Sequence, residues 1–188
     1  MKAFPTNIDG VVEIRPNMIR DHRGYFSETF RADWFAQNVA SAEFVQENQS
    51  LSIAQGTIRG LHFQSAPFAQ GKLVRCVAGA IFDVAVDIRH GSPTYGHWAA
   101  VTLTAQDGNQ LWIPAGFAHG FCTLAEACVV SYKVTSYYSR EHDLGLAWDD
   151  PAIGIRWPDA ADPETLSPKD QVQPQLAALA RYFEVDAA

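Results

Sequence analysis

The feature that most constrains the fold is a series of short apolar or alternating segments, each followed by glycine, proline or aspartate. Residues 72–89 predict two strands hinged near Gly79, the second with one apolar face because apolar side chains alternate from Phe82 to Ile88. Residues 98–104, 109–114, 120–124 and 127–134 repeat the pattern. Many short strands at this spacing predict an all-β sandwich or barrel, and a small barrel has room inside for one ligand.

Helix is sparse in this sequence. Residues 31–38 form a short helical candidate, and residues 175–184 form a second one that follows Pro174 and carries Leu176, Leu179 and Phe183 at helical spacing. We expect both helices to cover the barrel from outside. The chain is predicted to be one domain, residues 1–188, in which residues 157–188 form a segment that covers the barrel.

Composition excludes several classes of partner. The 188 residues are 47% hydrophobic, enough for one core, and the formal net charge is −7, which argues against nucleic acid and membrane surfaces as partners. An anionic small molecule needs only a few local cations. The N-terminus lacks the apolar run of a signal peptide, and the odd set of Cys76, Cys122 and Cys128 predicts buried reduced thiols in a cytoplasmic protein.

Eight motifs follow one another along the chain, at residues 21–28, 46–50, 59–64, 70–74, 83–89, 113–121, 148–151 and 166–170. In this order they resemble the dTDP-4-dehydrorhamnose 3,5-epimerase family, from about Gly10 to about Pro174. The resemblance implies a cupin-like jelly-roll β-barrel with a few short peripheral helices. It also implies an isomerase that acts on a dTDP-sugar without a cofactor, in a homodimer that exchanges N-terminal strands.

His62 indicates chemistry without a metal. Metal-binding cupins usually present His-x-His at this point, whereas this chain has Gln64 at the second position and Thr123 where the second motif usually supplies its last ligand. A single imidazole beside Arg59 and Lys72 is better interpreted as an acid–base group than as half of a ligand set. We therefore predict no metal site.

The family substrate is a deoxyhexose with a ketone at C4, and inversion at C3 and C5 needs a base, an enolate stabiliser and an acid on the opposite face. His62 suits the base, and the resemblance makes Asp170 its partner, with Asp83 as a second candidate. Lys72 is the expected enolate stabiliser, and Tyr132 is carried over as the acid.

The resemblance also implies a set of contacts to the sugar, diphosphate and base. These are Arg23, Glu28, Gln46, Asn48, Arg59, His119, Tyr138, Asp143 and Lys169. Tyr138 matches an aromatic that stacks on thymine and is often phenylalanine, and Asp143 stands where the family commonly has glutamate. The shorter carboxylate puts that second contact in doubt.

Other functions fit the same residues. Related 3-epimerases, 5-epimerases and 3,4-ketoisomerases of deoxysugar pathways share the fold and the dyad, and retention of both His62 and Tyr132 does not separate one inversion from two. A non-enzymatic sugar-binding cupin would leave the histidine, lysine and tyrosine set without a role. A metal-dependent cupin is disfavoured by Gln64 and Thr123.

Overall fold

The computed structural model describes residues 1–185 and is dominated by antiparallel β-sheet. Within these residues there are thirteen strands, one α-helix and three single-turn 3-10 helices. The strands are β1 Lys2–Pro5, β2 Val12–Arg15, β3 Ile19–Asp21, β4 Gly24–Phe26, β5 Gln46–Ser52, β6 Ile58–Gln64, β7 Lys72–Ala78, β8 Ala80–Asp87, β9 Trp98–Thr104, β10 Gln110–Ile113, β11 Phe117–Thr123, β12 Cys128–Val134 and β13 Asp143–Gly145. The helix α1 is Ala32–Asn38, and the 3-10 turns are Pro163–Thr165, Asp170–Val172 and Leu176–Ala178.

Two large sheets form the body of the molecule. The six-stranded sheet has the order β1-β2-β10-β7-β12-β5, and the five-stranded sheet has the order β13-β6-β11-β8-β9. Alternate side chains of both sheets point inward, so residues such as Val74 and Val130 meet Ala85 and Phe121 in a shared core. The strands 72–78 and 80–87 flank Gly79 as the sequence predicts.

The strand β8 differs from its prediction of a single apolar face. Ile81 and Ala85 point into the core between the sheets, while Val84 and Val86 pack on the other side, in a cluster that includes Ile153. Neither face meets solvent because the C-terminal part of the chain covers the outside of the five-stranded sheet. The polar positions Asp83 and Asp87 on this strand are therefore buried.

The helix prediction for residues 31–38 is confirmed by α1, and the one for residues 175–184 is wrong. Only Leu176–Ala178 form a 3-10 turn, after which the chain is extended. Residues outside this segment supply its backbone partners. Asp150 Oδ2 accepts from Leu176 N, the His90 N–H donates to Phe183 O, and the His90 carbonyl accepts from Val185 N. Tertiary contacts thus override the helical spacing, while Phe183 still packs on the barrel. Residues 186–188 of the predicted covering segment lie outside the described residues.

Two further observations concern the chain as a whole. The three cysteines are buried free thiols, as expected. Within residues 1–185, no helix combines the length and the apolar character that a membrane span requires.

Candidate active site

A cavity of about 330 Å³ opens between the two large sheets. Its walls are formed by Ser50, Thr57, Ile58, Arg59, His62, Lys72, His119, Phe121, Tyr132, Thr165, Ser167 and Asp170. Six of the predicted site residues are in this list, four catalytic ones and two substrate contacts. The sequence therefore identified half of the cavity wall.

An irregularity in β6 brings two of these residues to the same cavity. His119 of β11 pairs with His62, and two residues further on Phe121 pairs with Arg59, three residues away along β6. Because side chains alternate along a regular strand, residues 59 and 62 would face opposite sides without this extra residue. The backbone at Gly60 has φ 125°, and a Cβ there would lie 2.5 Å from Gly120 Cα, so glycine is needed at this point.

His62 is half-buried and is held by a carboxylate. Its Nε2 lies 2.6 Å from Asp170 Oδ1, and the Asp170 side chain is nearly fully buried. Burial alone would raise the pKa of Asp170, but the hydrogen bond and charge of His62 and the Gly60 N–H lower it below its usual value. The carboxylate thus stays ionised and accepts from Nε2, and within residues 1–185 the Nδ1 atom of His62 makes no hydrogen bond.

Lys72 is the buried cation of the cavity. Its Nζ donates to the His62 carbonyl oxygen at 3.2 Å, which uses one of its three hydrogens. Burial lowers the pKa of Lys72 to about 8, against the opposing charges of Asp143 and Asp83. The ammonium form still predominates at pH 7, and it has hydrogens available for a ligand oxygen.

Tyr132 reaches the cavity from the opposite wall. It belongs to β12 of the six-stranded sheet, whereas His62 belongs to β6 of the five-stranded sheet. Burial raises the pKa of Tyr132, and the charge of Arg59 opposes the shift. The phenol therefore keeps its proton at neutral pH, and it lines the cavity from the sheet opposite that of the imidazole.

His119 binds the second candidate partner for His62. Asp83 Oδ1 lies 2.7 Å from His119 Nε2, so Asp83 is engaged with His119 and Asp170 with His62. Burial lowers the pKa of His119, while Asp83 raises it and the charges of Lys72 and His62 lower it further. The cavity thus contains two carboxylate–imidazole pairs.

The remaining contacts predicted for the nucleotide lie outside the cavity wall. Gln46 and Asn48 continue the row of Ser50 along one face of β5 and bond to each other at 2.8 Å. At the mouth, Asp143 accepts hydrogen bonds from Tyr138 and Lys169. These residues form a polar rim around the cavity. Within the rim, Asp143, which stands where the family commonly has glutamate, binds two other predicted residues.

Arg23 and Glu28 do not approach the cavity in a single chain. Arg23 lies in the turn of the β3–β4 hairpin, its side chain is 78% exposed, and it pairs with Asp21. Glu28 follows the hairpin and is also exposed. Of the thirteen predicted site residues, these two are the ones that the fold of one chain leaves apart.

Gln64 and Thr123 stand where metal-binding cupins usually have ligands, and in this structure both bind backbone oxygens. Gln64 Nε2 donates to the backbone oxygens of Phe68 and Tyr137, and the Thr123 hydroxyl donates to Ala54 O. Gln64 thus holds the loop before β13 rather than pointing to a ligand. Among residues 1–185, no group of three histidine, cysteine or acidic side chains is arranged to hold a metal ion.

Six residues of the cavity wall were not predicted from the sequence. Ser50, Phe121 and Ser167 lie inside the motifs 46–50, 113–121 and 166–170, and the alternation of β5 would have found Ser50. Thr57 and Ile58 precede the predicted residue Arg59, and nothing in the sequence pattern distinguishes Thr165. Its hydroxyl accepts from Ile58 N, which fastens the C-terminal segment to β6.

The two facing sheets and the interior acid–base set define a cupin-like jelly-roll barrel with the groups of a proton-transfer enzyme. A family model described as dTDP-4-dehydrorhamnose 3,5-epimerase matches residues 5–178, and the chain belongs to this family of isomerases. The resemblance of the eight motifs and the all-β jelly-roll fold are thereby confirmed.

Three relatives illustrate the match. A dTDP-4-dehydrorhamnose 3,5-epimerase of Sinorhizobium fredii is 61% identical over 91% of this chain and 87% of its own. The crystal structure of a dTDP-6-deoxy-D-glucose-3,5-epimerase from Legionella pneumophila, in complex with dTDP-4-keto-L-rhamnose, superposes with a TM-score of 0.92 at 40% identity over 99% of both chains. A dTDP-4-dehydrorhamnose 3-epimerase of Streptomyces niveus is 37% identical over 91% of this chain and 82% of its own.

Proposed function

We propose that the chain is a 3,5-epimerase that converts dTDP-4-dehydro-6-deoxy-glucose to dTDP-4-dehydro-rhamnose. One observation carries the proposal at the level of residues: His62 and Tyr132 enter the same cavity from opposite sheets. Inversion of a carbon centre requires that a proton leave one face of the sugar and another arrive at the opposite face. A ligand held between the sheets meets both requirements.

The first step is removal of a proton beside the C4 ketone by Nδ1 of His62. The C–H bond breaks, its electron pair moves into the ring, and the ketone oxygen takes the negative charge of an enolate. Asp170 orients the imidazole and stabilises the cation that the ring becomes. Because the carboxylate is already ionised and buried, this stabilisation needs no rearrangement during the reaction.

Lys72 stabilises the enolate oxygen. The Lys72 side chain is buried, so its positive charge near this oxygen contributes more than it would in solution. In the second step the Tyr132 hydroxyl gives its proton to the other face of the same carbon, and the pair of electrons returns to form the new C–H bond. His62 then releases the proton it has taken and Tyr132 regains one from solvent, so both groups return to their starting protonation states. The same two steps at the second centre complete the double epimerisation.

Arg59 is the cation of the cavity wall that suits a phosphate or sugar oxygen. In the free protein its guanidinium donates to Ser52 Oγ and Leu51 O, so two of its five hydrogens are used. We assign sugar and nucleotide contacts to Arg59, His119, Gln46 and Asn48, and contacts at the mouth to the rim of Tyr138, Asp143 and Lys169. No cofactor enters this mechanism.

We propose further that the enzyme is a cytoplasmic homodimer. On the β3–β4 hairpin, Ile19, Tyr25 and Phe26 are 67%, 54% and 69% exposed, and β5 is an edge strand of the six-stranded sheet. Exposed apolar groups and open strand edges both favour association. If each hairpin docks on a second copy of the chain, Arg23 and Glu28 reach the mouth of the partner's cavity.

A 3-epimerase is the second candidate, since a relative of that name is 37% identical to this chain. The test is to incubate the enzyme with dTDP-4-keto-6-deoxyglucose in heavy water, reduce the keto group and determine the configuration at both centres. The proposal expects deuterium and inversion at C3 and at C5. Inversion at C3 alone supports the second candidate, and an absence of exchange at both centres contradicts both.

A further inference from the structure

Asp83 and His119 form a buried pair that the proton transfers do not use. The Asp83 side chain on β8 is fully buried, and its Oδ1 lies 2.7 Å from Nε2 of His119 on β11. Its other oxygen, Oδ2, has no hydrogen-bond partner within residues 1–185. A buried carboxylate with an unpaired oxygen costs free energy, so a contribution to stability does not account for the pair.

The pair fixes which nitrogen of His119 carries hydrogen. Carboxylate oxygens accept hydrogen bonds, so the 2.7 Å contact to Oδ1 assigns the hydrogen of His119 to Nε2. Burial lowers the pKa of His119, and the nearby charges of Lys72 and His62 act in the same direction, so the ring is neutral at pH 7. In a neutral imidazole with hydrogen on Nε2, the Nδ1 atom is an acceptor.

Nδ1 of His119 is available to a ligand. Within residues 1–185 the ring makes one side-chain hydrogen bond, the one to Asp83, and the residue lies in the cavity wall. Lys72 in the same wall has only hydrogens to offer, whereas Nδ1 has only a lone pair. At this part of the wall, Lys72 therefore presents a donor to the sugar and Nδ1 of His119 presents an acceptor.

We infer that Asp83 is a positioning residue that holds His119 in the Nε2–H form, so that Nδ1 accepts a hydrogen bond from a hydroxyl group of the bound sugar. The inference rests on the proposed function and adds how the sugar is oriented. A ketone oxygen has no hydrogen to donate, so it pairs with Lys72, and the hydroxyl at C2 or C3 pairs with His119. These two contacts fix the face of the ring that His62 meets.

The test combines a variant with altered substrates. His119→Leu removes the acceptor, and dTDP-4-keto sugars that lack the hydroxyl at C2 or at C3 remove the donor. In the wild type, loss of the hydroxyl that His119 binds lowers kcat/KM for deuterium exchange at C5 about tenfold, the usual effect of one hydrogen bond. In His119→Leu, kcat/KM should be the same for the normal and the deoxy substrate, because the hydrogen bond is already absent.

His97→Leu is the matched control. His97 is exposed in the loop between β8 and β9, outside the cavity wall. In the His97→Leu variant, removal of the substrate hydroxyl should lower kcat/KM by the same factor as in the wild type. If, for each deoxy substrate, kcat/KM for exchange falls by the same factor in the wild type and in His119→Leu, the inference is overturned. If the wild type exchanges no proton with the normal substrate, it is the proposed function that fails.

A second measurement addresses Asp83 without relying on activity. Nitrogen chemical shifts of His119 in the labelled wild type should report hydrogen on Nε2 and a bare Nδ1 at pH 7.5. Asp83→Asn lets an amide donate to Nε2, so hydrogen should move to Nδ1 and the discrimination between normal and deoxy substrate should fall. Hydrogen on Nδ1 in the wild type, or an unchanged ring and unchanged discrimination in Asp83→Asn, contradicts the inference.

Discussion

The interior of the cavity and its surroundings are organised differently. The inner set comprises His62, Lys72, His119, Tyr132 and Asp170, which lie on the cavity wall. The outer set comprises Arg23, Glu28, Tyr138, Asp143 and Lys169, which are absent from that wall. Both sets were predicted from the same family resemblance, so the difference between them comes from the fold.

The inner residues are fixed before substrate arrives. His62 and His119 each have a carboxylate partner within 2.7 Å, and burial shifts the pKa values of Lys72 and Tyr132. The outer residues bind one another or, like Arg23, lie on an exposed hairpin. One chain thus brings together the inner residues, to which we assign proton transfer, whereas the outer residues, to which we assign nucleotide contacts, are left at the rim or on the hairpin. Inner substitutions should therefore act on kcat, and outer ones on KM.

The largest effect is expected for the base. His62→Ala should lower kcat by at least ~10²-fold, because the base takes part in every proton abstraction. Steady-state assays and a thermal unfolding curve on the same preparation check it, since the fold should remain intact. Wild-type turnover at unchanged stability rejects His62 as the base and removes the central member of the inner set.

Substitution of the partner of the base should have a smaller effect. Asp170→Asn retains the shape but loses the charge that orients the imidazole and stabilises its cation, so kcat should fall by less than in His62→Ala. Asp83→Asn is the matched control, since its carboxylate binds the other histidine. If Asp83→Asn lowered kcat more than Asp170→Asn does, the assignment of Asp170 as the partner of the base would be wrong.

The pH profile tests the cation of the inner set. Burial lowers the pKa of Lys72 to about 8, and the ammonium form is the one that stabilises an enolate. As pH rises through this value the charge is lost, so kcat/KM, which reports the free enzyme, should decline above pH 8. Burial raises the pKa of Tyr132, so the phenol does not cause that decline. A flat profile to pH 9.5 contradicts this role of Lys72.

The smallest effect is expected in the outer set, where Arg23→Ala should raise KM about tenfold, as the loss of one charge-assisted contact does, with little change in kcat. Mixed dimers sharpen the result. In a dimer of one Arg23→Ala chain and one His62→Ala chain, exchanged hairpins give one site with both residues intact. Assayed at substrate concentrations below KM, the mixture should then be more active than the mean of its two components, and a mixture that equals that mean contradicts hairpin exchange.

How much of this could be predicted from sequence depends on whether local pattern or tertiary context decides the outcome. Alternation predicted β7 and β8 around Gly79, the ordered motifs contain His62 and Lys72, and the family resemblance added Tyr132. The bulge that turns Arg59 and His62 to one side cannot be predicted from the two-residue alternation of side chains along a strand, because it interrupts that alternation. The failed helix at residues 175–184 shows the same limit, because backbone partners on the barrel replaced local hydrogen bonds.

The carboxylates illustrate the point most clearly. On β8, Asp83 occupies a non-apolar position, which in isolation indicates a solvent-facing residue, yet it is 0% exposed. Which histidine each carboxylate binds depends on strand neighbours, β8 beside β11, and on a C-terminal turn that reaches β6. Such pairings join residues 36 and 108 positions apart, which no local pattern encodes.

The central claim is that a base and an acid act from opposite walls, and Tyr132→Phe tests it most directly. The substitution removes one oxygen and should barely disturb the packing, and a thermal unfolding curve checks this. In heavy water the variant should still exchange deuterium into the substrate, because His62 can return a proton to the face it came from, while net inversion is lost. Equal loss of exchange and inversion, or normal inversion, contradicts the account.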